Sequence, residues 1–355
     1  MSLLDHLLAR IQLDGPISVA DYMSDCLLHP TFGYYTTRDP LGAQGDFTTA
    51  PEISQMFGEL TGLCLAQCWL NQGRPSECVL AELGPGRGTL MADILRATRS
   101  VRGFADAAQI HLIEASPVLR EKQAQALQAY TPHWIDSVSD LPDLPVFLIA
   151  NEFFDALPIR QFVRDGDGWR ERLIGAQQGQ LTFGLGPNVP QAALAGRLTD
   201  TQDGDLVELR AAAVPVVESI ADRIATRGGA ALILDYGDWR SLGDTFQAVK
   251  SQDHVPPLKE PGQADLTAHV DFEPLAATAL SKGCAHTRLT QQGVFLERLG
   301  IADRAQILAR SVGGLELEQL VQAHRRLTHP EEMGNLFKVL GLYPSHSAPP
   351  SGLDP

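Results

Sequence analysis

Cys78-Val79-Leu80-Ala81-Glu82-Leu83-Gly84-Pro85-Gly86-Arg87-Gly88-Thr89 is the stretch that decides the fold. Its first six residues are apolar except for Glu82 and read as a short buried strand. They run into three glycines at alternate positions, and Leu90–Arg99 continues at helical spacing. Glycine lets the main chain turn sharply and lets a ligand approach it closely. Moving outward, Ile110-His111-Leu112-Ile113-Glu114 reads as a second strand, and Ser116-Pro117 opens a helix reaching Tyr130. Trp134-Ile135-Asp136 and Val146–Asn151 are the third and fourth strands. Strand and helix alternating at this spacing predict an α/β fold, a mostly parallel sheet with helices on both faces.

The flanks complete the layout. Ser2–Ile11 is apolar at helical spacing, and Ser18 can cap a second helix through Leu28. A Gly-, Thr-, Asp- and Pro-rich loop spans His29–Pro51, after which Pro51 and Glu52 suit the first turn of a helix to about Asn71. Residues 1–75 are therefore expected to form an N-terminal helical cap carrying the Gly45–Glu52 loop, and 76–158 the first half of the core. Residues 159–210 alternate in short stretches broken by Gly and Asp, a β-rich insertion. The core pattern resumes over 211–343 with a helix at Val214–Arg227, a fifth strand at Ala230–Gly237, helical additions near Phe272–Lys282, Val294–Arg310 and Leu315–Leu327, and strands at His286–Leu289 and Leu336–Leu340. The proline-rich end, 344–355, reads as a flexible tail.

Composition narrows the function classes. The chain has 355 residues and a formal net charge of -15, so its surface repels phosphate backbones and nucleic acid is excluded as the main partner. The five cysteines are odd in number and lack CxxC spacing, as expected for buried thiols in a reducing compartment, and no metal site is expected. The N-terminus has neither the basic region of a secretory signal nor the arginine-rich character of a transit peptide. No apolar run is long enough for a membrane span. The expected location is cytoplasmic, or that of a processed organelle protein.

The glycine turn is G-x-G-x-G, one residue shorter than the G-x-G-x-x-G that cradles a pyrophosphate. With Glu82 just before Gly84, Gly86 and Gly88, it suits a zwitterionic cofactor with an amino-acid end and no phosphate. Glu114, closing the second strand, would hold ribose hydroxyls through its two oxygens, the alternative being a solvated carboxylate. Asp136 could accept a hydrogen bond from an adenine amino group, the alternative being a solvated carboxylate at a strand end. Asn151 closes the fourth strand beside the point where open α/β sheets bind ligands, the alternative being a turn-forming Asn.

Several blocks occur together: Gly45-Asp46-Phe47-Thr48-Thr49-Ala50-Pro51-Glu52-Ile53-Ser54, Glu82–Thr89, Asn151-Glu152-Phe153-Phe154-Asp155-Ala156-Leu157-Pro158, Leu234–Gly237, Asp265–Phe272 and Met333–Lys338. In this set and order the chain resembles the MidA family, relatives of the mitochondrial complex I assembly arginine methyltransferase. The resemblance runs from about Ile17 to Tyr343. It implies a class I methyltransferase (Rossmann-like) fold, S-adenosylmethionine as cofactor, and a protein substrate, an arginine-bearing subunit of a NADH dehydrogenase-like complex near its quinone site. Asn151–Phe154 also sits where amino-group methyltransferases carry Asn/Asp-Pro-Pro-aromatic, although no proline follows Asn151. The absent transit peptide points to a bacterial-type member.

Methyl transfer from a sulfonium is an in-line displacement, so alignment of donor and acceptor is the main demand. A guanidinium adds a delocalised lone pair and a pKa above ~12. Carboxylates can grip it and receive a proton late in the reaction. Glu152 and Asp155 are the expected acceptor-binding pair. Asp46 is expected to shape the cofactor or substrate lid with Thr48, Thr49, Glu52 and Ser54, and Tyr236 to pack on the acceptor or, as the alternative, merely to fill space. For each acid, a helix cap or surface charge is the alternative, and Asp271 reads as a cap before Phe272. His269, between Asp265 and Asp271, fits no zinc spacing and reads as a loop residue. A non-catalytic cofactor-binding assembly chaperone and a small-molecule N- or O-methyltransferase remain rivals, and a dinucleotide-dependent oxidoreductase is disfavoured by the short turn.

Overall fold

The computed structural model describes residues 2–37 and 48–355. The stretch Cys78–Leu83 forms β1, buried along its whole length. Among the described residues, the main path of its nine-stranded sheet continues with β2 (Ala108–Ile113), β3 (His133–Ile135), β4 (Val146–Asn151), β5 (Gly229–Asp238), β6 (Cys284–His286) and β7 (Phe337–Pro344). They lie in the order β6-β7-β5-β4-β1-β2-β3. The pairs β3/β2, β2/β1, β1/β4 and β4/β5 are parallel, whereas β7 runs antiparallel to β5 and to β6. β1 has β2 on one side and β4 on the other, so the order reverses there. The loops after β1 and β4 thus open at the crevice where sheets of this kind take ligands.

The described chain divides into two compact units. One comprises Thr48–Phe154, Val214–Trp239 and Phe272–Pro355 and contains the main sheet. Its core packs Leu80, Ile94, Leu112, Phe147, Ile149, Leu232 and Val339 against Phe57, Leu65 and Trp69 of the helix Gln55–Asn71. Each fully buried Leu, Ile or Phe contributes about 1.5–3 kcal/mol relative to exposure. That helix is apolar on most sides because the sheet, the helix Thr89–Thr98 and the C-terminal helices all cover it.

The other unit comprises the described part of Met1–Phe47 together with Asp155–Ala213 and Arg240–Asp271. Ser2 and Ser18 cap the helices Leu3–Asp14 and Val19–Leu28, and the Asp carboxylate three residues on accepts in turn from each Ser amide. The β-rich stretch supplies the antiparallel strands Arg160–Asp165, Gly168–Gln177, Gln180–Val189 and Leu206–Leu209. A core of Leu7, Tyr22, Met23, Ile159 and Ile174 joins helices and sheet.

Four local readings are revised. The helix expected from Pro51 to Asn71 breaks at Ser54, which is extended and caps the following helix by accepting from the Met56 amide at 3.2 Å. The helix expected over Val294–Arg310 divides into Gln292–Arg298 and Ile301–Ala309 at Gly300, which has φ 87°. The strand expected at His286–Leu289 is split between Cys284–His286 and Thr290–Gln291. The end of the chain is docked: Leu353 is buried in the core and Asp354 pairs with Arg298 at 2.9 Å. Cys26, Cys64, Cys68, Cys78 and Cys284 are all free and buried. No described helix is long and apolar enough to cross a membrane.

Candidate active site

All three glycines of the turn after β1 take left-handed backbone angles: φ is 59° at Gly84, 54° at Gly86 and 83° at Gly88. The Gly84 amide donates to Ile113 O at 3.0 Å, which ties the turn to the end of β2. A Cβ at Gly84 would stand 3.1 Å from the Phe153 ring, and one at Gly88 would stand 3.2 Å from Gln123 Cα. At Gly84 and Gly88 a side chain would therefore be both strained in backbone angle and tight in space.

Glu82, immediately before the turn, is 3% exposed, and its Oε2 has no hydrogen-bond partner among the described residues. Burial, and then the negative charge of Glu114, push its carboxyl up to about 8, while a backbone amide at Met91 opposes the shift. At neutral pH such an acid is mostly protonated, and a cation placed beside it favours its charged form.

Glu114 is buried at the end of β2. Its Oε1 accepts from the Ser116 amide at 2.7 Å and its Oε2 from Gln123 Nε2 at 3.1 Å. Burial raises its pKa, and these two bonds oppose that. The same Gln123 Nε2 donates to Gly86 O at 2.8 Å, and Gln123 Oε1 accepts from Trp134 Nε1 at 2.8 Å. Arg120 donates to Glu114 O and, at 2.5 Å, to Asp136 Oδ1. The Asp136 side chain is 86% exposed.

Asn151 ends β4, beside β1. Its Nδ2 donates to Glu152 Oε1 at 3.0 Å, and its buried Oδ1 has no partner among the described residues. Glu152 is a non-glycine residue at φ 50°, a conformation L residues adopt at a cost and that clusters at functional sites. Its amide donates to Leu234 O at 2.9 Å, and its Oε1 also accepts from the Ala50 amide at 3.2 Å. Next to it, the Phe154 amide donates to buried Asp235 at 3.0 Å, and Tyr236 packs edge-on against Phe337.

The short helix Ala50–Ile53 carries Glu52. Glu52 Oε1 accepts from Thr89 Oγ1 at 2.6 Å, at the foot of the helix after the glycine turn. Thr49 occupies the N-cap position without a side-chain cap bond, and Thr48 precedes it half-buried. Ser54 serves as the cap already described. Asp155 lies in the other unit, buried, with its carbonyl accepting from the Ala268 amide at 3.1 Å. Asp46 lies outside the described residues. Asp271, read as a helix cap, accepts from the Ser241 amide at 2.5 Å. The His269 carbonyl accepts from Arg210, and no His/Cys/Asp/Glu group that could hold a metal occurs among the described residues.

Residues 60–290 match the family model described as "Putative S-adenosyl-L-methionine-dependent methyltransferase". The chain belongs to this family. It is similar to "Protein arginine methyltransferase NDUFAF7, mitochondrial" of Danio rerio, with 39% identity across 96% of this chain and 86% of the relative. The protein of the same name from Homo sapiens is 37% identical, across 96% of this chain and 83% of its own length. A crystal structure from Burkholderia thailandensis, bound to S-adenosyl-homocysteine, superimposes with a TM-score of 0.84 at 27% identity, covering 99% of this chain and 92% of that one. The protein is accordingly a class I, S-adenosylmethionine-dependent methyltransferase.

The relatives from Danio rerio and Homo sapiens are mitochondrial proteins, which overturns the cytoplasmic location expected from the N-terminus. The composition of an N-terminus tests for a leader and assigns no compartment.

The residues of this methyltransferase fit its cofactor. The turn offers bare backbone, and the one unpartnered oxygen of Glu82 is buried where an ammonium would restore its charge. Gln123, Trp134 and Arg120 were missed in the sequence. In the helix Pro117–Ala126 the buried residues are Leu119 and Gln123, four apart and on one face, a burial that only the fold reveals. A glutamine on the buried stripe of an otherwise polar helix calls for partners.

Proposed function

We propose that this methyltransferase modifies an arginine nitrogen of a protein partner, an arginine-bearing subunit of a NADH dehydrogenase-like complex. Support comes from the names of the relatives and from one observation. At the ends of two adjacent strands, Glu82 Oε2 and Asn151 Oδ1 are both buried acceptors without donors. Leaving such atoms unmet costs about 1–3 kcal/mol each, more for a charged group. Ligands rich in N–H groups and positive charge satisfy them.

In this reading Glu82 receives the cofactor's ammonium, Gly84, Gly86 and Gly88 let its amino-acid end lie on the main chain, Glu114 holds the ribose, and Asp136 meets the adenine edge. When bound, S-adenosylmethionine supplies an electrophilic methyl on a sulfonium that leaves as a neutral thioether. Asn151 Oδ1 accepts an N–H of the incoming group and fixes the nitrogen's direction. Glu152, held by Asn151 and Ala50, supplies the negative charge that keeps the guanidinium in place and takes up its proton as the C–N bond forms. Asp155 and Asp46 are further candidate carboxylates. Thr48, Thr49, Glu52 and Ser54 set the segment that carries Ala50, and Tyr236 offers a ring at the end of β5.

The test is incubation with methyl-labelled cofactor and lysate from cells lacking the protein, followed by mass spectrometry of labelled polypeptides. Methylarginine on one subunit of such a complex is the expected product. Label appearing only in small molecules, or nowhere, would overturn the reading.

A further inference from the structure

We infer that Gln123 is a positioning residue that aims the Glu114 carboxylate at the cofactor's ribose. The inference rests on the reading that Glu114 holds the ribose hydroxyls.

Gln123 is fully buried. A primary amide has two donors on one end and an acceptor on the other, and a buried one must find partners for them. Here both Nε2 donors are used, on Gly86 O and Glu114 Oε2, and Oε1 takes the indole N–H of Trp134. One side chain thus connects the glycine turn after β1, the carboxylate after β2 and the strand β3.

The arrangement has one orientation only. Reversing the amide would put Oε1 against the Gly86 carbonyl and the Glu114 carboxylate, three acceptors together. It would also turn the NH2 group toward the Trp134 donor. The Trp134 N–H therefore sets which way the amide faces, and the amide sets Glu114 Oε2. The Ser116 amide fixes the other oxygen. With both oxygens held from the protein side, the plane of the carboxylate is fixed before any ligand binds, and each oxygen keeps a lone pair for a hydroxyl. Such pre-organisation raises affinity by removing the cost of ordering the group on binding. Close packing accompanies it, because a Cβ at Gly88 would stand 3.2 Å from Gln123 Cα, a tight contact.

The experiment measures binding of S-adenosylhomocysteine and of its 2′,3′-dideoxy analogue by calorimetry. Wild-type protein, Gln123→Met and Trp134→Phe are compared. Wild type should bind the analogue about tenfold or more weakly, as expected for lost hydrogen bonds to a charged group. Gln123→Met should weaken S-adenosylhomocysteine by about tenfold and change the analogue by less than about twofold. Trp134→Phe keeps an aromatic ring and removes the indole donor, so it should show the same ribose-specific loss, and it serves if Gln123→Met does not fold. Equal losses on both ligands would reduce Gln123 to structural support, and an unchanged Trp134→Phe would remove the aiming role; either overturns the inference. A wild type that binds the two ligands equally would instead refute the ribose role of Glu114, and the inference would fall with it.

Discussion

Thr89 Oγ1 donates a 2.6 Å hydrogen bond to Glu52 Oε1, latching the helix Ala50–Ile53 to the first residue of the helix that follows the glycine turn. A bond to a charged acceptor contributes about 1.5–3 kcal/mol. In a urea-unfolding cycle of Thr89→Val, Glu52→Gln and the double variant, the two sites should couple by about 1 kcal/mol or more. Additivity to within about 0.3 kcal/mol would mean that the latch contributes nothing.

Glu152→Gln should separate anchoring from charge. A glutamine oxygen can still accept from Ala50 and Asn151, so the melting temperature should stay close to that of wild type and cofactor affinity should hold within about threefold. The turnover number should fall by about a hundredfold, the usual scale of a lost acid–base group. Full activity in this variant would move the proton-accepting role to another carboxylate.

Gly86→Val places a β-branched side chain at φ 54° in the cofactor turn. The backbone cost is about 1–2 kcal/mol, small enough for the sheet to stay folded. S-adenosylmethionine binding should vanish in calorimetry while far-ultraviolet circular dichroism is retained. Undiminished affinity would contradict the placement of the cofactor's amino-acid end.

What could be read from the chain was what is local. Cys78–Leu83 is an uninterrupted buried run, and each glycine after it does adopt the left-handed angle that its residue type permits. Ser54 was harder, because a helix-breaking cap differs from a tolerated helical serine only by the Met56 amide it captures. Asp136 was placed at a strand end, but its exposure and its partner Arg120 follow from how the helix Pro117–Ala126 lies on the sheet. The three bonds of Gln123 reach residues 37, 9 and 11 positions away, and no short-range pattern encodes them.

Glu82 makes a pH prediction with a definite sign. Its carboxyl titrates at about 8 in the folded protein against 4.5 as the ordinary value. Between these the native state holds the extra proton, so stability conferred by the protonated form is lost as pH rises through this window. Glu82→Gln removes that dependence. Its melting temperature relative to wild type should therefore climb between about pH 5 and pH 8. Wild-type affinity for S-adenosylhomocysteine should increase over the same range, because the ammonium needs the ionised acid, and the variant's should not. Parallel melting profiles would place the titration elsewhere.

The five enclosed thiols turn the molecule into its own reporter. Burial pushes Cys26, Cys78 and Cys284 each up to about 12, so alkylation at neutral pH must wait for the surrounding structure to open. Cys26 belongs to the unit with the N-terminal helices, whereas Cys78 and Cys284 are strand residues of the sheet unit. Timed labelling followed by peptide mapping would therefore clock the breathing of each unit separately, and show which of them a bound nucleoside quiets, with no engineered probe.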